Sequence, residues 1–118
     1  MSKTIFCDID GVIFRQTNGE FIMNAEILPG VIEAFRNWER FGDRIILTTG
    51  RRESLREVTE QQLLKAEIFY DLLIMGVGVG ERILINDVGS RGQKKAFAIN
   101  LERNEGLSSL KDNISCRL

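Results

Sequence analysis

An apolar run near the N-terminus, residues 5–7, ends in two carboxylates, Asp8 and Asp10, followed by Gly11. Two like charges at the end of a buried strand oppose folding unless something neutralises them. A hard cation with oxygen ligands, such as Mg²⁺, is the natural neutraliser. One carboxylate can then act as a nucleophile and the other as an acid and base. This segment therefore indicates magnesium-dependent phosphoryl transfer.

The composition narrows the chemistry further. The chain of 118 residues contains no histidine, which excludes serine–histidine and cysteine–histidine catalysis and histidine-ligated zinc. The formal net charge is −1, so there is no basic surface typical of nucleic-acid binding. No apolar run is long enough to span a membrane, and a cytoplasmic location is expected. Cys7 and Cys116 are the only cysteines, too few for a disulfide framework.

Strands and helices must position the two carboxylates, and the pattern of apolar residues predicts where these elements lie. Short continuous apolar runs predict strands buried on both faces, as in a parallel sheet; they cover residues 5–7, 45–47, 72–75, 83–85 and 96–99. Helical patterns lie between the first three, from Pro29–Gly30 to Gly42 and from residue 53 to 66. We expect a single domain over residues 1–118, an α/β three-layer sandwich with a mostly parallel, Rossmann-like sheet.

The segment after the first strand departs from this alternation. Asn18-Gly19 lies between two apolar runs, residues 12–14 and 21–23, which predicts a β-hairpin. Its apolar side chains, Phe14, Phe21 and Ile22, exceed what a solvated flap needs. An exposed apolar patch of this kind is typical of an interface, so the pattern predicts a homo-oligomer with the hairpin at a subunit contact.

Chemistry-bearing residues follow several predicted strands, and the carboxyl ends of parallel strands meet at one edge of a sheet. The first strand delivers Asp8 and Asp10 there. The second predicted strand is followed by hydroxyl, glycine and basic residues, Thr48, Thr49, Gly50, Arg51 and Arg52. The fourth is followed by an amide and an acid, Asn86 and Asp87. A threonine hydroxyl and free N–H groups at a helix start suit a phosphate. Asp8 and Asp87 are suitable ligands for a Mg²⁺ ion that would also bind a phosphate oxygen.

These motifs, in this order, resemble those of the haloacid dehalogenase superfamily of phosphatases. Residues 8–12, Asp-Ile-Asp-Gly-Val, are similar to its first motif, residues 48–51, Thr-Thr-Gly-Arg, to its second, and residues 86–87, Asn-Asp, to its acidic fourth motif. The resemblance implies that Asp8 is the nucleophile and Asp10 the general acid and base. It also implies a Mg²⁺ site formed by Asp8, the Asp10 carbonyl and Asp87. Asn86 contributes a neutral oxygen to that site where an acid is common.

The same resemblance carries further expectations about substrate and assembly. The absence of a large insert is similar to the small, capless members of the superfamily, several of which act on sugar phosphates as oligomers. The predicted function is hydrolysis of a small phosphomonoester, with no nucleic-acid or membrane partner. Two alternatives stay open: a phosphate-binding module without catalysis, and a phosphotransferase or mutase on the same scaffold.

One element of the superfamily pattern is missing, the basic residue that pairs with nucleophile and phosphate. Residues 76–82 contain no lysine, and Arg82 is the closest match. A strand over residues 82–86 would place Arg82 roughly 16 Å below Asp87. Arg51 or Arg52, at the carboxyl edge, is therefore the better candidate. Thr48 and Thr49 both remain candidates for the phosphate contact.

Overall fold

The chain adopts an α/β fold built on a parallel sheet. The computed structural model describes residues 2–17 and 19–110, with the backbone alone for residues 19–21. In chain order the elements are β1 (Thr4–Asp8), α1 (Val31–Arg40), β2 (Arg44–Thr48), α2 (Arg56–Lys65) and β3 (Leu72–Ile74), with 3₁₀ turns at Gly19–Asn24 and Glu53–Leu55. The strands lie in the order β1-β2-β3 and both pairings are parallel. The prediction of a parallel α/β architecture is confirmed.

Both predicted helices are present, and local sequence explains them. Helix α1 follows Gly30, which has a positive φ of 77°, and it buries Val31, Phe35 and Trp38 at i, i+4 and i+7. Gly42, with φ of 71°, ends the helical segment. Helix α2 is preceded by a 3₁₀ turn, so the predicted span of residues 53–66 divides into two parts.

No helix in the described ranges has the length and apolarity needed to cross a bilayer.

The two faces of the sheet differ in how well they are covered. Cys7, Leu47 and Leu73 are neighbours across the strands and belong to the buried core together with residues of α1 and α2. Burial raises the pKa of the Cys7 thiol to about 12, as suits a small core residue. On the opposite face Phe6, which neighbours Ile46, is 55% exposed. The described residues thus supply one helical layer and leave part of the other face open.

The hairpin predicted after β1 does not form between residues 12–14 and 21–23. Gly19–Asn24 forms a 3₁₀ helix, and Phe14 and Ile27 make a single antiparallel bridge. Phe14 and Ile22 are buried rather than exposed, because this segment folds back onto the core instead of forming two free strands. Asn18 and the Phe21 side chain lie outside the described residues. Among the side chains described in this segment, Phe14 and Ile22 therefore give no exposed apolar patch for a subunit contact.

The predicted strands over residues 83–85 and 96–99 are also wrong. Residues 79–98 form an irregular projection, called here the arm, that turns back at Gly89, whose N–H bonds the Gln93 carbonyl at 2.8 Å. Ile83 and Ile85 are 81% and 91% exposed. A strand needs a neighbour for its backbone groups, and these residues have none among residues 2–17 and 19–110 of this chain. The molecule is correspondingly elongated, 48 × 26 × 24 Å.

After the arm, the chain returns to the core and packs beside the loop that follows β1. Leu107 and Leu110 are buried, and the Leu107 N–H donates to the Pro29 carbonyl at 2.8 Å. Gly106 has φ of 78°, and a Cβ there would lie 2.2 Å from the Pro29 carbonyl oxygen. Only glycine permits this approach. Leu101 and Arg103, in the part of this return segment before Gly106, thereby line the region around Asp8.

Candidate active site

Asp8 ends β1 and sits half-buried at the carboxyl edge of the sheet. Its Oδ1 accepts a hydrogen bond from the Ile9 N–H at 3.0 Å. Burial raises the pKa of the Asp8 carboxyl above its ordinary 3.8, and the charge of Asp10 adds to the rise. The Ile9 hydrogen bond and the positive charge of Arg82 oppose it. A half-exposed carboxylate at this edge, with a perturbed pKa, is a candidate for chemistry.

Asp8 opens into a cleft of about 210 Å³ whose walls come from both ends of the chain. The lining residues are Asp8, Asp10, Gly11, Val12, Gln16, Leu101 and Arg103. The Asn104 N–H donates to the Gly11 carbonyl and the Asn104 Oδ1 accepts from the Gln16 N–H, both at 2.8 Å. These bonds hold residues 101–104 against the loop that follows β1. Neither Gln16 nor Leu101 nor Arg103 was expected from the sequence, since no local pattern links them to Asp8.

Arg103 brings a positive charge to this cleft. Its side chain runs past Gly11, where an added Cβ would lie 3.2 Å from the Arg103 Cγ. Across the described ranges, no carboxylate forms a salt bridge with Arg103, which is exposed. Gly11 itself has φ of 84°, so the turn after β1 depends on glycine twice, for its conformation and for this close approach. The cleft can therefore offer a cation to an anionic ligand.

A second cavity of about 260 Å³ lies at the amino end of β2, beside Asp43 and Asp71. Its carboxylates already have structural partners. The Asp71 Oδ2 accepts the Ile45 N–H at 2.8 Å, and Asp43 binds both the Lys3 N–H at 2.9 Å and the Lys3 Nζ at 3.3 Å. We therefore place the candidate active site at the Asp8 cleft.

Asp10 is held by Arg51 rather than left free in the cleft. Arg51 Nε donates to Asp10 Oδ2 at 3.0 Å and Nη2 donates to Oδ1 at 2.7 Å. The Arg51 Nη1 donates to Thr59 Oγ1 and Gln62 Oε1, both at 2.9 Å. The Arg51 side chain is 5% exposed and that of Asp10 23%. Each guanidinium nitrogen is thus engaged, so in this arrangement Arg51 orients Asp10 and is not available to a phosphate.

The rest of the segment after β2 divides into buried and accessible parts. Thr49 is buried and its Oγ1 accepts the Arg51 N–H at 3.1 Å. Thr48 is half-buried and pairs in register with Asp8 across β1 and β2. A Cβ on Gly50 would lie 2.9 Å from the Gly78 carbonyl oxygen, so this turn packs directly on the base of the arm. Arg52 is exposed at the start of the 3₁₀ turn.

The structure moves Arg82 from its expected position. We expected it about 16 Å below the carboxyl edge, within a strand. That strand is not formed, and Arg82 lies close enough to Asp8 for its charge to lower the pKa of that carboxyl. The Arg82 Nη2 donates to the Gly78 carbonyl at 3.3 Å. Arg82 therefore joins Arg103 as a cation near the candidate nucleophile.

Asn86 and Asp87 are not brought to Asp8. Asp87 is 80% exposed and pairs with Lys95 Nζ at 2.9 Å within the arm. The Asn86 Nδ2 donates to the Asp87 carbonyl at 3.1 Å. Within residues 2–17 and 19–110, no three His, Cys, Asp or Glu side chains cluster closely enough to hold a metal ion. The magnesium site expected from the sequence, formed by Asp8, the Asp10 carbonyl and Asp87, is therefore not assembled among these residues of one chain.

Comparison with solved structures places this architecture among known folds. Two chains in structures of the Pnkp1/Rnl/Hen1 RNA repair complex are 30% and 31% identical over 63% and 64% of this chain, with TM-scores of 0.56 and 0.57. The match spans only 25% and 28% of those chains. A Vibrio cholerae protein is 22% identical, with 74% of this chain and 80% of that chain covered and a TM-score of 0.55. It shares the fold.

Searches against protein-family models and against curated proteins find no match. Fold and site together define an α/β protein whose cleft, at the carboxyl edge of a parallel sheet, presents Asp8, Asp10 and Arg103.

Proposed function

We propose that the protein hydrolyses a small phosphomonoester, with Asp8 as the nucleophile, as in the haloacid dehalogenase superfamily that its motifs resemble. The observation that carries the proposal is the placement of Asp8 at the end of β1, half-buried in a cleft that also presents Arg103. A carboxylate can attack phosphorus directly. Cations around the phosphate offset its charge and that of the nucleophile.

The reaction has two steps. An Asp8 carboxylate oxygen forms a bond to phosphorus while the bond from phosphorus to the leaving oxygen breaks, and that oxygen takes a proton. Water then attacks the aspartyl-phosphate, which releases inorganic phosphate and restores the carboxylate. Asp10 is the proposed proton donor and acceptor. Each Asp10 oxygen accepts one bond from Arg51 and keeps a second lone pair that can take up a proton.

Magnesium is the proposed cofactor, and it would neutralise charge on the phosphate oxygens. Mg²⁺ usually keeps several waters and binds through one or two carboxylates plus substrate phosphates. Within one chain, Asp8 and the Asp10 carbonyl would be the protein ligands at the cleft, and substrate phosphate and water would supply the others. A second carboxylate at the site would strengthen binding of the ion.

Two substrate classes are proposed, with a sugar phosphate in the cytoplasm as the first. The small cleft volume and net charge of −1 favour it. The second is a phosphorylated RNA end. It is favoured by the 30–31% identity to chains in an RNA repair complex and opposed by the absence of a basic surface.

The test is phosphate release from an aryl phosphate, a panel of sugar phosphates and RNA oligonucleotides phosphorylated at either end. Each is assayed with Mg²⁺ and with EDTA. We expect release with Mg²⁺ and loss of release with EDTA. No release from any substrate, combined with saturable binding of inorganic phosphate by calorimetry, would identify a binding module instead. Transfer to an added alcohol without net hydrolysis would identify a phosphotransferase.

The cations near Asp8 give a prediction of their own. Arg103→Ala and Arg82→Ala should each lower kcat/KM about 10-fold or more, since a charge-assisted hydrogen bond contributes roughly 1.5–3 kcal/mol. Arg40→Ala, which removes an exposed arginine on α1, is the matched control and should have no effect. If Arg52→Ala lowers kcat/KM more than either of these variants does, the segment after β2 would be assigned the phosphate contact instead.

A further inference from the structure

The arm exposes apolar side chains that a folded protein normally buries. Six large ones are 55–100% exposed: Val79, Ile83, Leu84, Ile85, Val88 and Phe97. The run from Ile83 to Ile85 also has the β-branched character of a strand. An apolar patch of this size on a projecting segment marks an interaction surface.

The sheet offers a surface that matches the arm. Within the described part of the chain, β1 has a strand neighbour on one side only, so its other edge presents unpaired N–H and C=O groups. Phe6 on β1 and Leu72 on β3 are exposed on the same face of the sheet. An added parallel strand at the β1 edge would satisfy these backbone groups and extend the sheet beside Phe6.

The arm of the same chain is badly placed to supply that strand. Residues 76–77, just before the arm, are fixed at the carboxyl edge of their own sheet. There the Gly76 N–H donates to the Arg51 carbonyl at 2.7 Å and the Val77 N–H donates to the Thr49 carbonyl at 2.9 Å. Arg82 already lies near Asp8 at that edge. The five residue steps from Arg82 to Asp87, if extended, span roughly 16 Å. They carry Asp87 past the site of their own chain.

We propose that two copies exchange arms, so that residues 83–87 of one copy pair in parallel with β1 of the second copy and place Asn86 and Asp87 beside Asp8 of that second copy. The catalytic part of this inference rests on the proposed function; the interface does not. Each active site then contains Asp8 from one chain and Asp87 from the other. The carboxylate that one chain lacks at its cleft is supplied by the second copy.

The size and symmetry of the surfaces suit a second copy. The six exposed side chains present on the order of 700 Å² of surface, close to the roughly 800 Å² per partner of a standard stable interface. Each chain carries both an arm and an unpaired β1 edge, so a two-fold axis pairs both arms with both β1 edges at once. The exchange also pairs the β1 edge, which would otherwise be open to unspecific strand addition.

The first test measures the oligomeric state by light scattering and sedimentation at micromolar concentration. The wild type should be a dimer, and the double variant Ile83→Asp/Ile85→Asp a folded monomer by circular dichroism. Leu64→Asp is the matched control, because Leu64 is 68% exposed on α2, outside both surfaces; it should stay dimeric. A monomeric wild type, or an arm variant that remains dimeric, would overturn the proposal whatever the activity.

The second test locates Asp87 by complementation. Asp8→Asn and Asp87→Ala chains with different tags are co-expressed, and the mixed dimer is isolated by two affinity steps. If Asp87 acts on the second copy, one of the two sites is complete, and activity should be about half that of the wild-type dimer. If Asp87 acts within its own chain, both sites lack a carboxylate, and an inactive mixed dimer would refute the exchange. An inactive wild type that still forms an arm-dependent dimer would refute the proposed function and leave the interface standing.

Discussion

In an Asp8→Asn variant, phosphate release should fall by roughly 10⁴-fold or more, as when the nucleophile of a hydrolase is removed. The amide has nearly the shape of the carboxylate but cannot attack phosphorus. Release is measured under single-turnover conditions with the best substrate of the panel. Glu39→Gln, which alters an exposed surface pair with Arg36 near the amino end of β2, is the control and should retain wild-type rates. Substantial residual release in Asp8→Asn would assign the nucleophile elsewhere.

The same variant should be more stable than the wild type at neutral pH. Burial raises the pKa of Asp8 in the folded protein, so the folded state disfavours the charged form. The stability linked to this group is present below the ordinary Asp pKa of 3.8 and is lost as the pH rises through the higher folded value. Urea unfolding in EDTA should therefore show a gain for Asp8→Asn at pH 7 that shrinks below pH 4. An equal difference at both pH values would show that charge is not the cause.

Arg51→Leu should lower the free energy of unfolding by about 3–5 kcal/mol, the usual effect of removing one partner from a buried ion pair. The leucine fills space but leaves the Asp10 carboxylate without its two donors, and Thr59 and Gln62 lose the donor that their oxygens share. Total stabilities of about 5–15 kcal/mol are typical, so this single change threatens folding. The measurement is urea unfolding followed by circular dichroism.

Two further variants separate the ion pair from simple packing. Arg40→Leu removes an exposed arginine that bonds only the nearby Asn37 side chain among described residues, and its effect should stay within about 0.5 kcal/mol. Arg51→Leu combined with Asp10→Leu removes both charges and should recover much of the lost stability, because replacing both partners of a buried pair is often neutral. The double variant should remain without activity. Equal instability of single and double variants would mean that Arg51 acts through packing alone.

Local sequence was sufficient for the elements whose stabilising contacts lie close by in the chain. Helix α1 is defined by Gly30, Gly42 and one apolar stripe, and β1 and β2 by apolar runs that end in polar residues. The Asn18-Gly19 signal failed because a turn motif forms a hairpin only if two strands flank it. Phe14 and Ile22 instead gain more by entering the core.

Residues 83–85 show a different limit of sequence analysis. Their composition predicts a strand, but a strand exists only with a neighbour, and composition does not specify whether that neighbour belongs to the same chain. The site shows the same limit. The sequence predicted that Asp8 and Arg51 would lie at one edge, yet not that Arg51 would turn inward to Asp10, 41 residues away. Arg103 reaches the cleft through contacts that only the folded chain creates.

The hydrogen bonds between Asn104 and the loop after β1 have a consequence for the synthesis of the protein. The residues it connects, Gln16 and Asn104, are 88 positions apart. At a synthesis rate of about 5–20 residues per second, the second wall of the cleft emerges roughly 4 to 18 s after the first. Throughout that interval the nascent chain carries Asp8 and Asp10 without the second wall of the cleft. The cleft is therefore completed late in translation.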